Sequence, residues 1–331
     1  MRTSQPSWLT LGIVLVLSVS CGSSDDTLSP GGTEPAEAAV EPSRPPGEIV
    51  TSQIAVGDFT FDARMAGPDD GEAVLLLHGF PQTSHEWRHQ LRALGEAGYR
   101  VVAPDQRGYS PGARPEAIED YKISRLVEDI VGIADAVGAA RFHLVGHDWG
   151  AIVAWAVAVA VPDRVITVNP ISVPHLDAFA TVLRDPTSCQ PAASAYFDIF
   201  VQPDSEDGFL ADDSARLRAI YAGVDPAAVA EYVRVLGSKP ALGAALNWYR
   251  ANIADRLVLG PALGNVQVPT MFTWSDGDTA LCVDGARLTE EYVDGPYRFE
   301  ILDCVSHWIP DLAPAELTAL LLDHLGAHSE R

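Results

Sequence analysis

The sequence predicts an α/β fold: a mostly parallel central sheet with helices on both faces, interrupted by an inserted helical segment. Three observations carry this. The run Ala73-Val74-Leu75-Leu76-Leu77 is uniformly apolar, as suits a strand covered on both faces. After it, helix-like and strand-like patterns alternate, which implies crossover connections and parallel pairing. The alternation stops near Pro174 and resumes only after Gly264, with helical patterns between.

In chain order, Ile49 to Val56 and Phe59 to Met65 read as strands ahead of the buried run. Ser84 to Ala97 has helical spacing, Arg100 to Ala103 is a short apolar strand, and Ile123 to Val137 repeats apolar residues at helical intervals. Phe142 to Val145 is a strand, Gly150 to Val161 an apolar helix, and Val165 to Val168 a strand. The interval 174–264 has helical patterns and no strand run, so it reads as a helical cap inserted into a core made of 48–173 and 265–331. The core then resumes with Thr270 to Trp274 (strand), Ala286 to Val293 (helix), Arg298 to Leu302 (strand) and Pro314 to Leu325 (helix).

Before the core, Arg2 precedes an uncharged apolar run from Trp8 to Val19, too short to span a bilayer. It reads as the h-region of a secretory signal over residues 1–20. The run ends in Leu17-Ser18-Val19-Ser20-Cys21-Gly22, which resembles the lipobox of bacterial lipoproteins and implies a lipid on Cys21. An ordinary cleaved signal and a membrane anchor are the alternatives. Residues 21–47 are rich in Gly, Ser, Pro, Asp and Glu and read as a flexible tether. The expectation is an exported protein held to a bacterial cell envelope, on its periplasmic side or at the cell surface.

The 331 residues carry 22 Lys+Arg against 45 Asp+Glu, a formal net charge of -23. Such a surface repels phosphate backbones and anionic lipid headgroups, which excludes nucleic acid as a partner and favours an uncharged or cationic ligand. Export permits disulfides. Besides Cys21 there are Cys189, Cys282 and Cys304. Cys282 and Cys304 both follow strands that the fold brings side by side, so their pairing is expected, with Cys189 free. Three buried thiols are the alternative.

Candidate chemistry gathers just past strand ends, where open α/β sheets place their sites. In Val145-Gly146-His147-Asp148-Trp149-Gly150 a strand runs into a helix through a turn with glycine on either side of an acid. Small neighbours permit the strained turn that lifts the central side chain above the sheet, and here that side chain is the Asp148 carboxylate. His78-Gly79-Phe80-Pro81, Asp105-Gln106-Arg107-Gly108-Tyr109-Ser110 and Ser306-His307-Trp308 follow other strands. Phe272-Thr273-Trp274-Ser275-Asp276-Gly277-Asp278 offers two further acids. His78 and His147 read as ligands of backbone groups. Asp105 and Arg107 read as a loop-fixing ion pair, with Arg107 alternatively free to bind a substrate carboxylate. No closed zinc set is present in the pattern.

These stretches together resemble the α/β-hydrolase superfamily, and within it the epoxide hydrolases with an aspartate nucleophile, over nearly everything from Glu48 onward. The order nucleophile, acid, histidine in that fold matches Asp148, Asp278, His307. Family spacing favours Asp278 over Asp276 as the acid. The family carries two cap tyrosines; Ala195-Tyr196-Phe197-Asp198-Ile199-Phe200 and Leu246-Asn247-Trp248-Tyr249-Arg250 are similar to those segments, whereas Tyr221 and Tyr232 lack such a context.

The resemblance implies a small lipophilic epoxide as substrate, water as co-substrate, and no cofactor. Asp148 opens the ring to give an alkyl ester, Tyr196 and Tyr249 protonate the leaving oxygen, and His307 with Asp278 activates the water that cleaves the ester. Backbone N–H groups of Phe80 and Trp149 form the oxyanion hole that the resemblance implies. Two other readings stand beside it. The same Asp nucleophile serves haloalkane and haloacid dehalogenases, although the residue after His78-Gly79 is Phe80 and not the Asn common in dehalogenases. A lipoprotein that binds without catalysis is the third.

Overall fold

The computed structural model describes residues 45–254, 257–258 and 262–330. The expected leader, Cys21 and most of the tether lie outside them.

Strands β1 (Val50–Val56) and β2 (Phe59–Ala66) form an antiparallel hairpin at one edge of an eight-stranded sheet. Next come β3 (Ala73–Leu77), α1 (Arg88–Glu96), β4 (Arg100–Pro104), α2 (Ile123–Ala136), β5 (Phe142–His147), α3 (Trp149–Ala160) and β6 (Val165–Ile171). Then a run of helices intervenes: α4 (Leu176–Arg184), the single turns α5 (Gln190–Ala193) and α6 (Phe197–Phe200), α7 (Ser205–Ile220), α8 (Pro226–Leu236) and α9 (Lys239–Asn252). Helix α7 is broken at Ala211–Ser214, where three consecutive residues have positive φ. The two-residue strands β7 (Ile253–Ala254) and β8 (Leu257–Val258) pair antiparallel. The main sheet resumes with β9 (Thr270–Ser275), α10 (Val283–Leu288), β10 (Tyr297–Leu302), α11 (Ile309–Leu312) and α12 (Pro314–Ala327).

The sheet order is β1-β2-β4-β3-β5-β6-β9-β10, antiparallel as far as β4 and parallel from there on. Every residue of β3, β5, β6 and β9 is buried, which explains why β3 reads as a continuous apolar run and why the other three show no polar face, their polar residues being buried too. The outer strands β1 and β10 are only partly buried. Helix α3 is buried from Trp149 through Ala158, so it too lacks a polar stripe.

Two expectations change. The stretch 174–264 does contain strand pairing, β7 with β8, but two residues a side are too few to leave a periodic signal. The helical pattern of Ala286 to Val293 is realised as α10 ending at Leu288 followed by a 3₁₀ turn, Thr289–Tyr292.

The topology sets where a site can form. From β3 the chain moves outward to β4, then returns across β3 to β5 and continues the other way. At this reversal the loops after β3 and β5 leave in opposite directions and open a crevice beyond the strand ends. Leu77 of β3 lies opposite Gly146 of β5, so His78–Phe80 and His147–Trp149 face each other across that crevice.

Candidate active site

Asp148 sits between β5 and α3 with φ 53° and ψ -120°, backbone that a side-chain-bearing residue adopts only under constraint. The constraint is visible in its neighbours. A Cβ on Gly146 would lie 2.1 Å from the Gly150 carbonyl oxygen, and one on Gly150 would lie 2.0 Å from that of Leu77. Only glycine at both positions lets the turn close this tightly against β3. The result is a carboxylate raised above the sheet and aimed into the crevice.

Each Asp148 oxygen has its own partners. Oδ1 accepts from the Phe80 N–H at 2.8 Å. The Trp149 N–H also favours the ionised carboxylate. Oδ2 lies 3.3 Å from His307 Nε2. On the other side of that ring, Nδ1 lies 2.8 Å from Asp278 Oδ2. Asp278 is itself fixed: its Oδ1 accepts from Ala280 N at 2.8 Å and Leu281 N at 3.0 Å, which leaves Oδ2 for the imidazole. Asp276 plays a different part, its Oδ1 accepting from the Cys304 N–H at 2.6 Å.

The charges reinforce one another. Burial opposes ionisation of Asp148, but the His307 hydrogen bond and charge outweigh it and hold the carboxyl below its ordinary range. For His307, burial disfavours the cation, yet Asp278 and Asp148 together push it up to about 10. The resting site is therefore an imidazolium between two carboxylates.

The stretch Asn-Trp-Tyr-Arg in α9 shows how a helix distributes roles to adjacent residues, which diverge by about 100° each. Trp248 donates from its indole to the Arg107 carbonyl at 2.8 Å, anchoring the helix to the loop after β4. Arg250 pairs with the buried Glu206 of α7 at 2.6 Å. Tyr249, between them, points into the crevice, its ring 5.0 Å from that of Trp149 and 5.3 Å from that of Phe80. Tyr196 lies 6.5 Å from Tyr249, ring to ring. Burial first, and the Asp148 charge second, push both phenols well above their ordinary range. Both therefore stay protonated at working pH.

Asp148, Tyr196 and Tyr249 line one pocket, whose remaining walls are Trp149, Ile152, Val173, Phe179, Phe197, Ile253 and Leu281. Among the described residues lining it, Asp148 alone is charged. Arg107 lies elsewhere, its guanidinium held bidentately by Asp129 at 2.6 and 2.7 Å and stacked over Phe59. The expected Asp105–Arg107 ion pair is thus replaced: Asp105 accepts from the Ser84 N–H at 2.7 Å, and Asp129 of α2 reaches Arg107 across the fold. Among the described residues, no group of three or more His, Cys, Asp or Glu is arranged to hold a metal ion.

The cysteine pairing also differs from expectation. Cys189 is bonded to Cys282, with Cα atoms 6.2 Å apart, and Cys304 is free and exposed. The reason lies in how the helical segment docks. Gln190 accepts from the Cys282 N–H at 2.9 Å and donates to the Ala280 carbonyl at 2.8 Å, which seats Cys189 against the loop after β9. Strand adjacency suggested Cys304; the partner came from a helix turn whose position the strands do not reveal.

Several residues support the site in ways that no sequence motif indicated. Tyr221, buried, donates to the Pro81 carbonyl at 2.6 Å and stacks on Tyr232 with ring centroids 5.3 Å apart. The Tyr232 hydroxyl reaches Asp311 at 2.9 Å, and Asp311 also receives Gln82 and Arg88, each at 2.6 Å. His147, read from the sequence as a ligand of a backbone group, does contact the His307 carbonyl, and it also meets Glu86. No local motif marks the roles of Tyr221, Tyr232, Asp311 and Glu86, because each acts through a partner distant in the chain.

The comparisons with known proteins identify the family. A family model for the alpha/beta hydrolase fold matches residues 72–314. Epoxide hydrolase A of Mycobacterium tuberculosis is 34% identical over 296 residues, covering 78% of this chain and 92% of its own. Epoxide hydrolase 4 of Mus musculus is 33% identical, covering 80% of this chain and 76% of its own. Among solved structures, an epoxide hydrolase from Bacillus megaterium superposes with a TM-score of 0.76 at 28% identity, over 83% of this chain and all of that one. The chain belongs to the epoxide hydrolase family of the α/β-hydrolase superfamily.

Proposed function

We propose that the protein hydrolyses a neutral, lipophilic epoxide to a vicinal diol through an ester on Asp148. The observation that carries this reading is the convergence of one carboxylate and two protonated phenols on a single apolar cavity. A carboxylate there attacks carbon, and the phenols supply the proton that an opening oxirane oxygen requires.

In the first step Asp148 Oδ2 attacks one ring carbon, the C–O bond breaks, and Tyr196 or Tyr249 protonates the departing oxygen. Esterification cancels the charge on Asp148, removing one of the two anions that raise His307. The imidazolium then gives up its proton more readily, that proton passes through solvent to the tyrosinate left by ring opening, and the neutral ring takes a proton from a water. That water attacks the ester carbonyl carbon, the oxyanion forms at Oδ1 against the N–H groups of Phe80 and Trp149, and collapse frees the diol. Asp278 orients the ring and stabilises its cation throughout. The segment from α4 to α9 acts as the cap, supplying both phenols and, through Phe179 and Phe197, part of the apolar wall.

The dehalogenase alternatives find less support. The Phe80 side chain packs 5.2 Å from Phe200 and offers a leaving halide only its backbone, and the engaged Arg107 is not available to a haloacid carboxylate. A relative's solved complex with a naphthyloxy-propanediol product supports aryl or alkyl epoxides as the substrate class to try.

A single turnover in heavy-oxygen water, with excess enzyme over a small aryl epoxide, tests the covalent route. Diol from the first turnover should carry ordinary oxygen from Asp148, with label entering the enzyme carboxylate. Full label in that first diol would mean direct attack by water and would overturn the ester mechanism.

A further inference from the structure

Behind the nucleophile lies a second acid–histidine pair for which the reaction above has no use. Glu86, in the turn after β3, and His147, next to Asp148, are both fully buried. Glu86 Oε2 is 3.1 Å from His147 Nδ1, and His147 Nε2 is 2.9 Å from the main-chain carbonyl oxygen of His307. Ser172 Oγ donates to that same carbonyl at 3.2 Å.

The proton positions follow from the acceptor at the end of the chain. A carbonyl oxygen only accepts, so His147 must carry its proton on Nε2. In a neutral ring Nδ1 is then a bare acceptor, and the group facing it must donate. Glu86 can do so only as a carboxylic acid. We infer that Glu86 and His147 are a neutral positioning pair, in which the Glu86 acid donates to His147 and His147 donates to the His307 carbonyl, holding the His307 imidazole in line between Asp148 and Asp278.

The surroundings favour this protonation state. Burial, then Asp311 and Asp148, push the Glu86 carboxyl well up, with Arg88 opposing. Burial and then the His307 charge push His147 down to about 3, against Asp148 and Asp278. Tyr109 and Tyr232 also face Glu86, and both remain protonated because burial raises them. An ionised pair would instead set a second imidazolium 4.9 Å, ring to ring, from that of His307. The role assigned to His307 rests on the mechanism proposed above; the proton on Glu86 does not.

Glu86→Gln and Glu86→Leu in the full chain separate the possibilities. Glutamine keeps a donor toward His147 and removes no charge if Glu86 is neutral. With a small aryl epoxide, Glu86→Gln should keep kcat within about twofold of wild type and leave its pH profile unshifted. Glu86→Leu should lower kcat roughly 10- to 100-fold with KM little changed, because His307 loses its alignment. Glu86→Gln as impaired as Glu86→Leu, or a pH profile displaced downward by loss of a negative charge, would overturn the pair; so would Glu86→Leu with wild-type kcat.

Infrared difference spectra of wild type minus Glu86→Gln at neutral pH give a second readout that needs no substrate. A protonated carboxyl band lost on substitution supports the pair, and carboxylate bands lost in its place refute it. If wild type turns over no epoxide at all, the function reading fails while this spectrum still decides the pair.

Discussion

The Tyr221 hydroxyl donates to the Pro81 carbonyl at 2.6 Å, one residue from the Phe80 N–H that holds Asp148. Tyr221 also packs on Trp308, beside His307, with ring centroids 5.9 Å apart. One side chain from the inserted helices thus touches both the loop expected to bind the oxyanion and the loop that carries the base. Tyr221→Phe leaves a buried carbonyl unpaired, at a cost of about 1–3 kcal/mol. Ester hydrolysis should slow about tenfold, less than the loss on deleting a hole donor outright. Rapid-quench detection of accumulated ester checks it; unchanged turnover with an unchanged melting temperature contradicts it.

Tyr249→Phe and Tyr196→Phe should each slow epoxide opening by about 10²–10⁴-fold, the usual range for a positioned proton donor. The double variant should cost less than the product of the singles, because the two phenols act on one oxygen. Pre-steady-state ester formation is the measurement, since the later hydrolysis does not use these protons. Equal ring-opening rates in wild type and double variant would remove the donor role.

Stability should depend on alkaline pH through His307. Its folded value is raised to about 10 from an unfolded 6.5, so its contribution is complete below 6.5 and lost as pH rises toward 10. Asp148 acts oppositely: its folded value is depressed, so its contribution is present above 3.8 and lost as pH falls below that. Melting temperatures measured from pH 6 to 10 should decline, and Asp148→Asn should flatten the decline by removing one anion beside His307. An equally steep decline in the variant would show that another group is titrating.

The Cys189–Cys282 bond closes a sequence separation of 93 residues and ties the segment before Tyr196 to the loop after Asp278. Cys189→Ser should destabilise the protein by typically about 2–4 kcal/mol, whereas Cys304→Ser, at an exposed free thiol, should stay within about 0.5 kcal/mol. Denaturant melts of both variants, with and without reductant, test the assignment. A larger loss at Cys304 would restore the Cys282–Cys304 pairing.

Lipid attachment at Cys21 is tested by expressing the full chain in a bacterium that processes lipoproteins. Wild type should partition into a detergent phase and Cys21→Ser into the aqueous phase. Aqueous partitioning of both would leave a plain cleaved signal as the better account of residues 1–20.

How far the chain could be read unaided varies with the range of the interactions. Strand β3 is legible because burial on both faces favours an uninterrupted apolar run, whereas β5, β6 and β9, which bury polar residues such as His143, Asn169 and Thr273, are legible from their place in the helix–strand alternation. The strained turn at Asp148 is legible because Gly146 and Gly150 are required by contacts within a few residues or with the adjacent strand. Asp278 and Asp276 lie two residues apart in one loop, and sequence alone ranks them only by family spacing. The fold separates them, turning one toward His307 and the other toward the Cys304 N–H.

The amino-acid sequence by itself determined the α/β alternation, the place of the inserted helices and the strained turn at Asp148, since these follow from periodicity, glycine sterics and local order. Only the tertiary structure decided the partner of Cys282, the engagement of Arg107 by Asp129, and the chain of hydrogen bonds from Glu86 through His147 to His307. Those depend on how segments tens to hundreds of residues apart dock. A single hydrogen bond or ion pair leaves no periodicity in the chain that folds to make it.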